Sequence, residues 1–494
     1  MRKSAESSNV EFSIQSLGAA GGIVTGSLHK LRHGESTVVV DAGIFQGKYD
    51  THLPNGKSRN AEDLGNTKNV TDILITHAHA DHVARLPLFY KKDRRPRTLT
   101  TEMTRELMEI ILRDSAKIQK GEDRLYTGQD IDGVMDHVNA VKMGKQIRVG
   151  RNHDKLTAQW TYNGHIPGSA SIIIEKQGTR GGILFTGDVG KEEQAICGGW
   201  GESKEADYPK DLPIKALWVE STSFDRQSVD FDEKYEQFLG SIKKILKGGG
   251  SVVIPAISMQ RNQEIVEIMK YAQEIGDIPR NTRIYKDAPL AYKFEETYIA
   301  DADLFMTNRF GNNPDFYKDS KGRKNRFDLK NCRVVTSNKE SVEIGNSLAG
   351  NNQNSIVITS GGMLGFGRVR NYIDGNFATN PKNGIILTCY QVEGTEGRKL
   401  TDQGYLMNKK GSRGATVEHL EVFSGHVSGE SDTFKYLNRF DLSELQLIGI
   451  IHGNNHNRVK MAEAFKERGY SARVVLPEIG ETIEFSLDGE ETRP

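Results

Sequence analysis

The stretch THAHADH (residues 76–82) sets three histidines and an aspartate into seven positions, directly after the apolar run Ile73-Leu74-Ile75. The whole chain holds 13 histidines in 494 residues, so composition alone does not produce such a cluster. An apolar run closed by a polar loop predicts a buried strand with the polar residues at its tip. Imidazole and carboxylate ligands suit Zn²⁺, and hydrolytic zinc sites keep one coordination position open. The alternate residues His77 and His79 can reach one ion, and the adjacent Asp81 and His82 can reach a second.

Other predicted strands end in the same kind of residue. VVVDAG carries Asp41, NGHIPGSA carries His165, FTGD carries Asp188 and IIHG carries His452. His165 fits the first ion, Asp188 is placed to bridge both, and His452 closes the second set. A histidine after a strand says little alone. Together with THAHADH these residues make a shell for two ions.

Around these motifs the chain reads as globular. Apolar residues make up 36% and charged residues 27%, with a mean hydropathy of −0.55. Lys plus Arg and Asp plus Glu are 66 each, so net charge argues neither for nor against a polyanionic partner. Cys197, Cys332 and Cys389 lie far apart and suggest neither a disulfide framework nor a thiolate metal site, which fits a cytoplasmic protein. No secretory signal or membrane span is expected. The first third reads as short strands between glycine turns, with a helix near 101–119. From about residue 224 longer strand–helix alternation predicts a mostly parallel sheet, and from about 409 the strand-rich style returns. The expected organisation is a flexible tail over 1–10, a first domain built from 11–223 and 409–494, and an inserted domain at 224–408. The basic stretch 317–330 is expected to be an exposed loop, and KKDRRPR (91–97) a second basic patch.

These motifs resemble the metallo-β-lactamase superfamily, and more narrowly its β-CASP nucleases. VVVDAG, THAHADH, GHIPGSA and FTGD match its successive motifs. WVEST (Glu220), VFSGHVS (His426) and IIHG (His452) match the β-CASP additions. Bacterial and archaeal relatives of the endonuclease subunit of the cleavage and polyadenylation specificity factor look nearest, with ribonuclease J as a near cousin. The resemblance implies an α/β fold, an αββα sandwich with an inserted β-CASP domain. It implies a zinc-dependent ribonuclease with two Zn²⁺ (Mn²⁺ or another divalent metal being the alternative), leaving 5′-phosphate and 3′-hydroxyl ends. Asp81 and Asp188 would serve both as ligands and in catalysis, Asp41 would orient a ligand imidazole, and His426 would be the general acid, held by Glu220. His452 points to RNA rather than DNA, and single-stranded RNA is the expected partner. Endonucleolytic cutting is expected, with 5′-to-3′ trimming as a second mode, aided by a terminal-phosphate pocket near Ser424 and Ser428. The inserted domain would hold nucleic-acid backbone through the N–H groups of Ser360, Gly361 and Gly362 and through Arg261, Arg368 and Arg398. A homodimer is also expected. A DNA nuclease and an inactive RNA-binding scaffold are the competing readings.

Overall fold

The run before THAHADH forms the strand Asp72–Leu74, in a computed structural model that describes residues 11–487 except 54, 92–94, 120, 122–123, 198, 201–207, 210, 301–309, 311–315, 320, 351–352, 392–393, 408–410 and 421–424. The expected tail over 1–10 and Ser424 lie outside the described residues. That short strand is buried at every position. It sits inside a seven-stranded sheet with Ser36–Val40 and Arg97–Thr101 as parallel neighbours. A second seven-stranded sheet carries Leu156–Tyr162, Ala170–Lys176, Gly182–Phe185, Ile214–Glu220 and Leu447–Ile451. Side chains from both sheets form one core: Ile14, Leu31, Val40 and Leu74 meet Trp160, Ile172, Phe185 and Trp218. The far face of the second sheet is covered by the helices Gly429–Leu437 and Asn455–Glu467 through Phe434, Tyr436, Met461 and Phe465. Helix Glu102–Ile118 is capped by Thr101, whose side chain accepts from Thr104 N–H, and buries Met103, Leu107, Met108 and Leu112.

The last segment completes both sheets. Leu447–Ile451 runs parallel to Ile214–Glu220, and Thr482–Phe485 runs antiparallel to Phe12–Gly18. Residues up to 192, 199–228 and from 426 onward therefore form one compact unit, and 193–198 with 229–425 form another. The second unit has its own sheet, in the order Cys332–Val334, Arg283–Asp287, Ser355–Ser360, Val252–Ala256, Gly384–Leu387, Arg413–His419, Tyr405–Met407, parallel except for the last pair.

Two expectations need correction. The return to the first domain does not fall at 409. Arg413–His419 pairs in parallel with Gly384–Leu387, so the inserted sheet continues past that point, and the insertion begins at 229 rather than 224. The stretch 317–330 is only partly exposed, at Lys318, at 321–324 and at Lys330. Arg326, Phe327 and Leu329 turn inward, because Glu267 on the helix Arg261–Glu274 is fully buried and takes Arg326 as its counter-ion. All three cysteines are free thiols. No helix among the described residues is long and apolar enough to cross a membrane.

Candidate metal centre

The site lies wholly within the first unit, where loops at strand tips are stitched together by backbone hydrogen bonds. After Ser36–Val40 the chain turns at Asp41, and Ala42 N–H donates to His82 O (2.7 Å) while Ser27 N–H donates to Asp81 O (2.8 Å). This approach leaves no room at Gly43, where a Cβ would stand 1.5 Å from Asp81 O. Gly43→Ala is expected to cost about 1–3 kcal/mol through forced backbone movement, measured as a fall in the urea midpoint. Gly190 likewise leaves no room, since a Cβ there would stand 1.9 Å from Gly164 O, and it draws the His165 loop to the Asp188 loop. Val427 N–H donates to Val189 O (2.7 Å) and His452 N–H to Ala19 O (2.7 Å), which fixes the last two loops.

These loops bring His77, His79, His165 and Asp188 into one group, and Asp81, His82 and His452 into a second. His79 Nδ1 lies 3.1 Å from both His77 Nε2 and His165 Nε2, and Asp188 Oδ2 lies 3.7 Å from each of those two Nε2 atoms. In the second group His82 Nε2 and His452 Nε2 are 3.1 Å apart, Asp188 Oδ1 is 3.3 Å from each, and Asp81 Oδ2 is 3.9 Å from His452 Nε2. Ligands at about 2.0–2.1 Å from one tetrahedral ion stand about 3.3–3.4 Å apart. The observed spacings bracket that value in both groups. Asp188 turns one oxygen to each, and its buried Oδ1 lacks a hydrogen-bond donor.

The outer partners of the rings decide which nitrogen is free. His82 Nδ1–H donates to Asp41 Oδ2 (2.7 Å). His77 Nδ1–H donates to Thr76 Oγ1 (3.0 Å), whose hydroxyl donates to Asp41 Oδ2 (2.9 Å). His452 Nδ1–H donates to Thr222 Oγ1 (2.9 Å), whose hydroxyl donates to the His452 carbonyl (2.8 Å). Each arrangement leaves an Nε2 lone pair facing other lone pairs, which is repulsive unless a cation stands among them. The donor set therefore fits divalent metal. Asp41 and His452 adopt φ of +61° and +51°, a backbone strain held by these contacts.

Electrostatics agrees. Burial keeps His77 well below the ordinary imidazole range and pulls His79 down to about 4, so both are neutral donors. Burial works against charge on Asp188, but His452, His82 and His426 outweigh it and hold the carboxyl well below its ordinary range. Burial also opposes charge on His82, yet Asp188 and Asp41 hold it well above its ordinary range. Carboxylates that favour a proton on that ring favour a metal cation there too. Asp41→Asn keeps the shape but weakens the hold on His82. Metal affinity is expected to fall about 10–100-fold, read by competition with a chelator.

His426 stands beside both groups. Its Nδ1 lies 3.1 Å from Glu220 Oε1 and its Nε2 3.8 Å from Asp188 Oδ2. Glu220 is fixed by Val189 N–H (2.8 Å) and Thr222 N–H (3.1 Å). Burial disfavours the imidazolium, but Glu220 and then Asp188 raise the pKa of His426 above its ordinary value. Its side chain is 22% exposed, so it can meet a substrate.

Residues 30–109 match the metallo-beta-lactamase superfamily model, and residues 262–400 match the Beta-Casp domain model. The chain therefore carries metallo-beta-lactamase and Beta-Casp family-model domains. It is 27% identical over 466 residues to "Ribonuclease TTHA0252" of Thermus thermophilus, covering 93% of this chain and 97% of that one. It is 27% identical to "Probable RNase MJ4" of Methanocaldococcus jannaschii, over 92% of this chain and 96% of that one. It is 28% identical to "Endoribonuclease ysh1" of Schizosaccharomyces pombe, over 92% of this chain and 56% of that one. A crystal structure of a protein of unknown function from Enterococcus faecalis V583 shares the fold, with a TM-score of 0.53 and 13% identity over 96% of this chain and all of that one.

The backbone-holding residues expected in the Beta-Casp unit are more scattered. Ser360 ends a strand, and its hydroxyl accepts from Arg368 N–H (3.3 Å). Gly361 has φ +98° and packs on Phe366 O, and the Gly362 carbonyl accepts from Gln391 (2.9 Å). Arg368 Nε lies 3.8 Å from the buried Asp287, and Arg398 is half-exposed, 3.6 Å from Asp402. Arg261 departs from the expectation. It is buried and paired with Glu264 on its own helix, so its guanidinium is an internal structural charge. Ser428 departs too. It is 2% exposed, and its hydroxyl donates back to the His426 carbonyl (3.4 Å), which leaves it unsuited to a terminal phosphate in this conformation. Thr76 and Thr222 are the functional residues that sequence reading missed. Each lies inside a motif already singled out, THAHADH or WVEST, but a hydroxyl gives no signal until its partner is placed.

Proposed function

We infer that the protein is a metal-dependent ribonuclease that hydrolyses phosphodiester bonds of single-stranded RNA. The observation that carries this reading is Asp188 standing between two donor groups with the His426–Glu220 pair alongside. The ribonuclease names of the relatives that cover nearly the whole chain support RNA as substrate. His77, His79, His165 and Asp188 would hold one divalent ion, and Asp81, His82, His452 and Asp188 a second. An imidazole-rich set without thiolate favours Zn²⁺, with Mn²⁺ as the alternative. Such a pair of ions supplies a water-derived nucleophile at neutral pH and neutralises charge on the phosphoryl group.

The side chains do the rest. Asp41, Thr76 and Thr222 hold three rings in register so that the substrate phosphorus meets a preset geometry. Water oxygen bonds to phosphorus and the bond to the 3′-oxygen breaks. His426 then gives its Nε2 proton to the departing oxygen, while Glu220 keeps the ring oriented and offsets its charge. The products carry 5′-phosphate and 3′-hydroxyl ends. The test is digestion of end-labelled single-stranded RNA and DNA of one sequence by the wild type and by His77→Ala/Asp188→Ala. RNA cleavage lost in the variant is the expected result. Preferential DNA cleavage would reassign the substrate.

A further inference from the structure

The basic run near residue 95 has no part in the metal centre, yet the fold gives it a place. Arg95 and Arg97 share the wall of a cavity of about 490 Å³ with Lys68, Arg148 and Arg151, and among the described residues Asp72 is the one carboxylate in that lining. Arg97 donates to Asp72 (2.8 Å) and to the Arg148 carbonyl (2.7 Å), and Gly150 N–H donates to the other Asp72 oxygen (2.7 Å). Asp72 therefore braces the wall, while four further cationic side chains are exposed around it. Three separate chain segments, 67–72, 95–97 and 148–152, converge here, which a merely solvated charge run does not require. The cavity opens at the start of the strands Asp72–Leu74 and Arg97–Thr101. The candidate metal ligands follow the other end, and the five residue steps from Asp72 to His77 span about 16 Å when extended.

We propose that this cleft is a second nucleic-acid contact, a phosphate-binding exosite that holds the backbone of single-stranded RNA away from the cutting centre. This rests on the ribonuclease reading. Among the described residues the lining has no aromatic ring for a base to stack on, which favours a sequence-independent grip on phosphates over recognition of a nucleotide. Arginine suits that grip because its planar fork donates two parallel hydrogen bonds to one phosphate. A strand held at both places meets the cutting centre at a raised effective concentration.

The test is Arg148→Ala/Arg151→Ala, since both side chains are exposed and the Asp72–Arg97 brace is untouched. Binding of a long labelled single-stranded RNA is measured in an Asp188→Ala background, where turnover is blocked, at several salt concentrations. Affinity is expected to fall about tenfold, and the salt slope of log K to shrink by about 1.4, from about 0.7 for each phosphate that an arginine no longer neutralises. In the otherwise wild-type protein the same pair is expected to raise KM for long RNA with kcat retained. Unchanged affinity and salt slope overturn the exosite. So does full displacement of the RNA by a stoichiometric amount of nucleoside triphosphate, which would make the cleft a nucleotide pocket. Failure of the ribonuclease reading shows separately, as no cleavage of any RNA by the wild type, and the binding arm still decides whether the cleft grips RNA.

Discussion

Asp188→Ala is expected to lower RNA hydrolysis by about 10³-fold or more, on the order of 4 kcal/mol of barrier. The reason is positional. Each oxygen of this one carboxylate faces a different donor group, at 3.3 Å from His82 and His452 and at 3.7 Å from His77 and His165. Removing any one imidazole leaves the other group intact. Removing Asp188 takes a ligand from both and withdraws the negative charge from among five rings. Metal content should fall with activity. Asp188→Asn is the sharper control, because its amide offers one acceptor oxygen and turns N–H donors toward the other group. It should retain part of the metal and little of the activity. Elemental analysis beside a single-turnover RNA assay reads both quantities.

His426→Ala should separate chemistry from metal binding. The Nε2 of His426 lies farther from Asp188 than those of His77, His82, His165 and His452, and its Nδ1 is committed to Glu220. Metal content should be unchanged, while kcat falls by about 10²–10⁴-fold, the range for loss of a positioned general acid. The pH profile carries the same assignment. Burial disfavours the charged ring and Glu220 overrides it, so the pKa is raised. The protonated form is the donor, so activity persists below that pKa and is lost as pH rises through it. When cations draw the charge of Asp188, Glu220 remains the group that raises the pKa. Glu220→Gln should therefore move the alkaline limb of the kcat profile to lower pH, whereas a purely structural Glu220 would lower kcat at every pH alike.

The candidate metal-binding residues were legible because the chemistry is written in scarce residue types. Three of 13 histidines in seven positions, and single His or Asp residues at other strand tips, need no partner to be noticed. The β-rich and β–α rhythms likewise disclosed two units. The far boundary was not legible, because Arg413–His419 alternates like any half-buried strand and only pairing with Gly384–Leu387 assigns it to the inserted sheet. Buried charges were misread for a related cause. Arg261 and Arg326 look like surface residues until Glu264 and Glu267 are found facing them. Thr76 and Thr222 act only through hydrogen bonds to rings, and hydroxyls on loops are common enough to hide. Arg148 and Arg151 join Arg97 across a turn of the fold that no local pattern announces.

The central claim is a pair of adjacent divalent cations held by strand-tip residues from both ends of the chain. Metal stoichiometry of the purified wild type and of His452→Ala tests it most directly. The expected result is two ions per chain in the wild type and one in the variant, with RNA hydrolysis lost alongside the second ion. A wild type that holds no divalent metal and still cleaves RNA at full rate would contradict it.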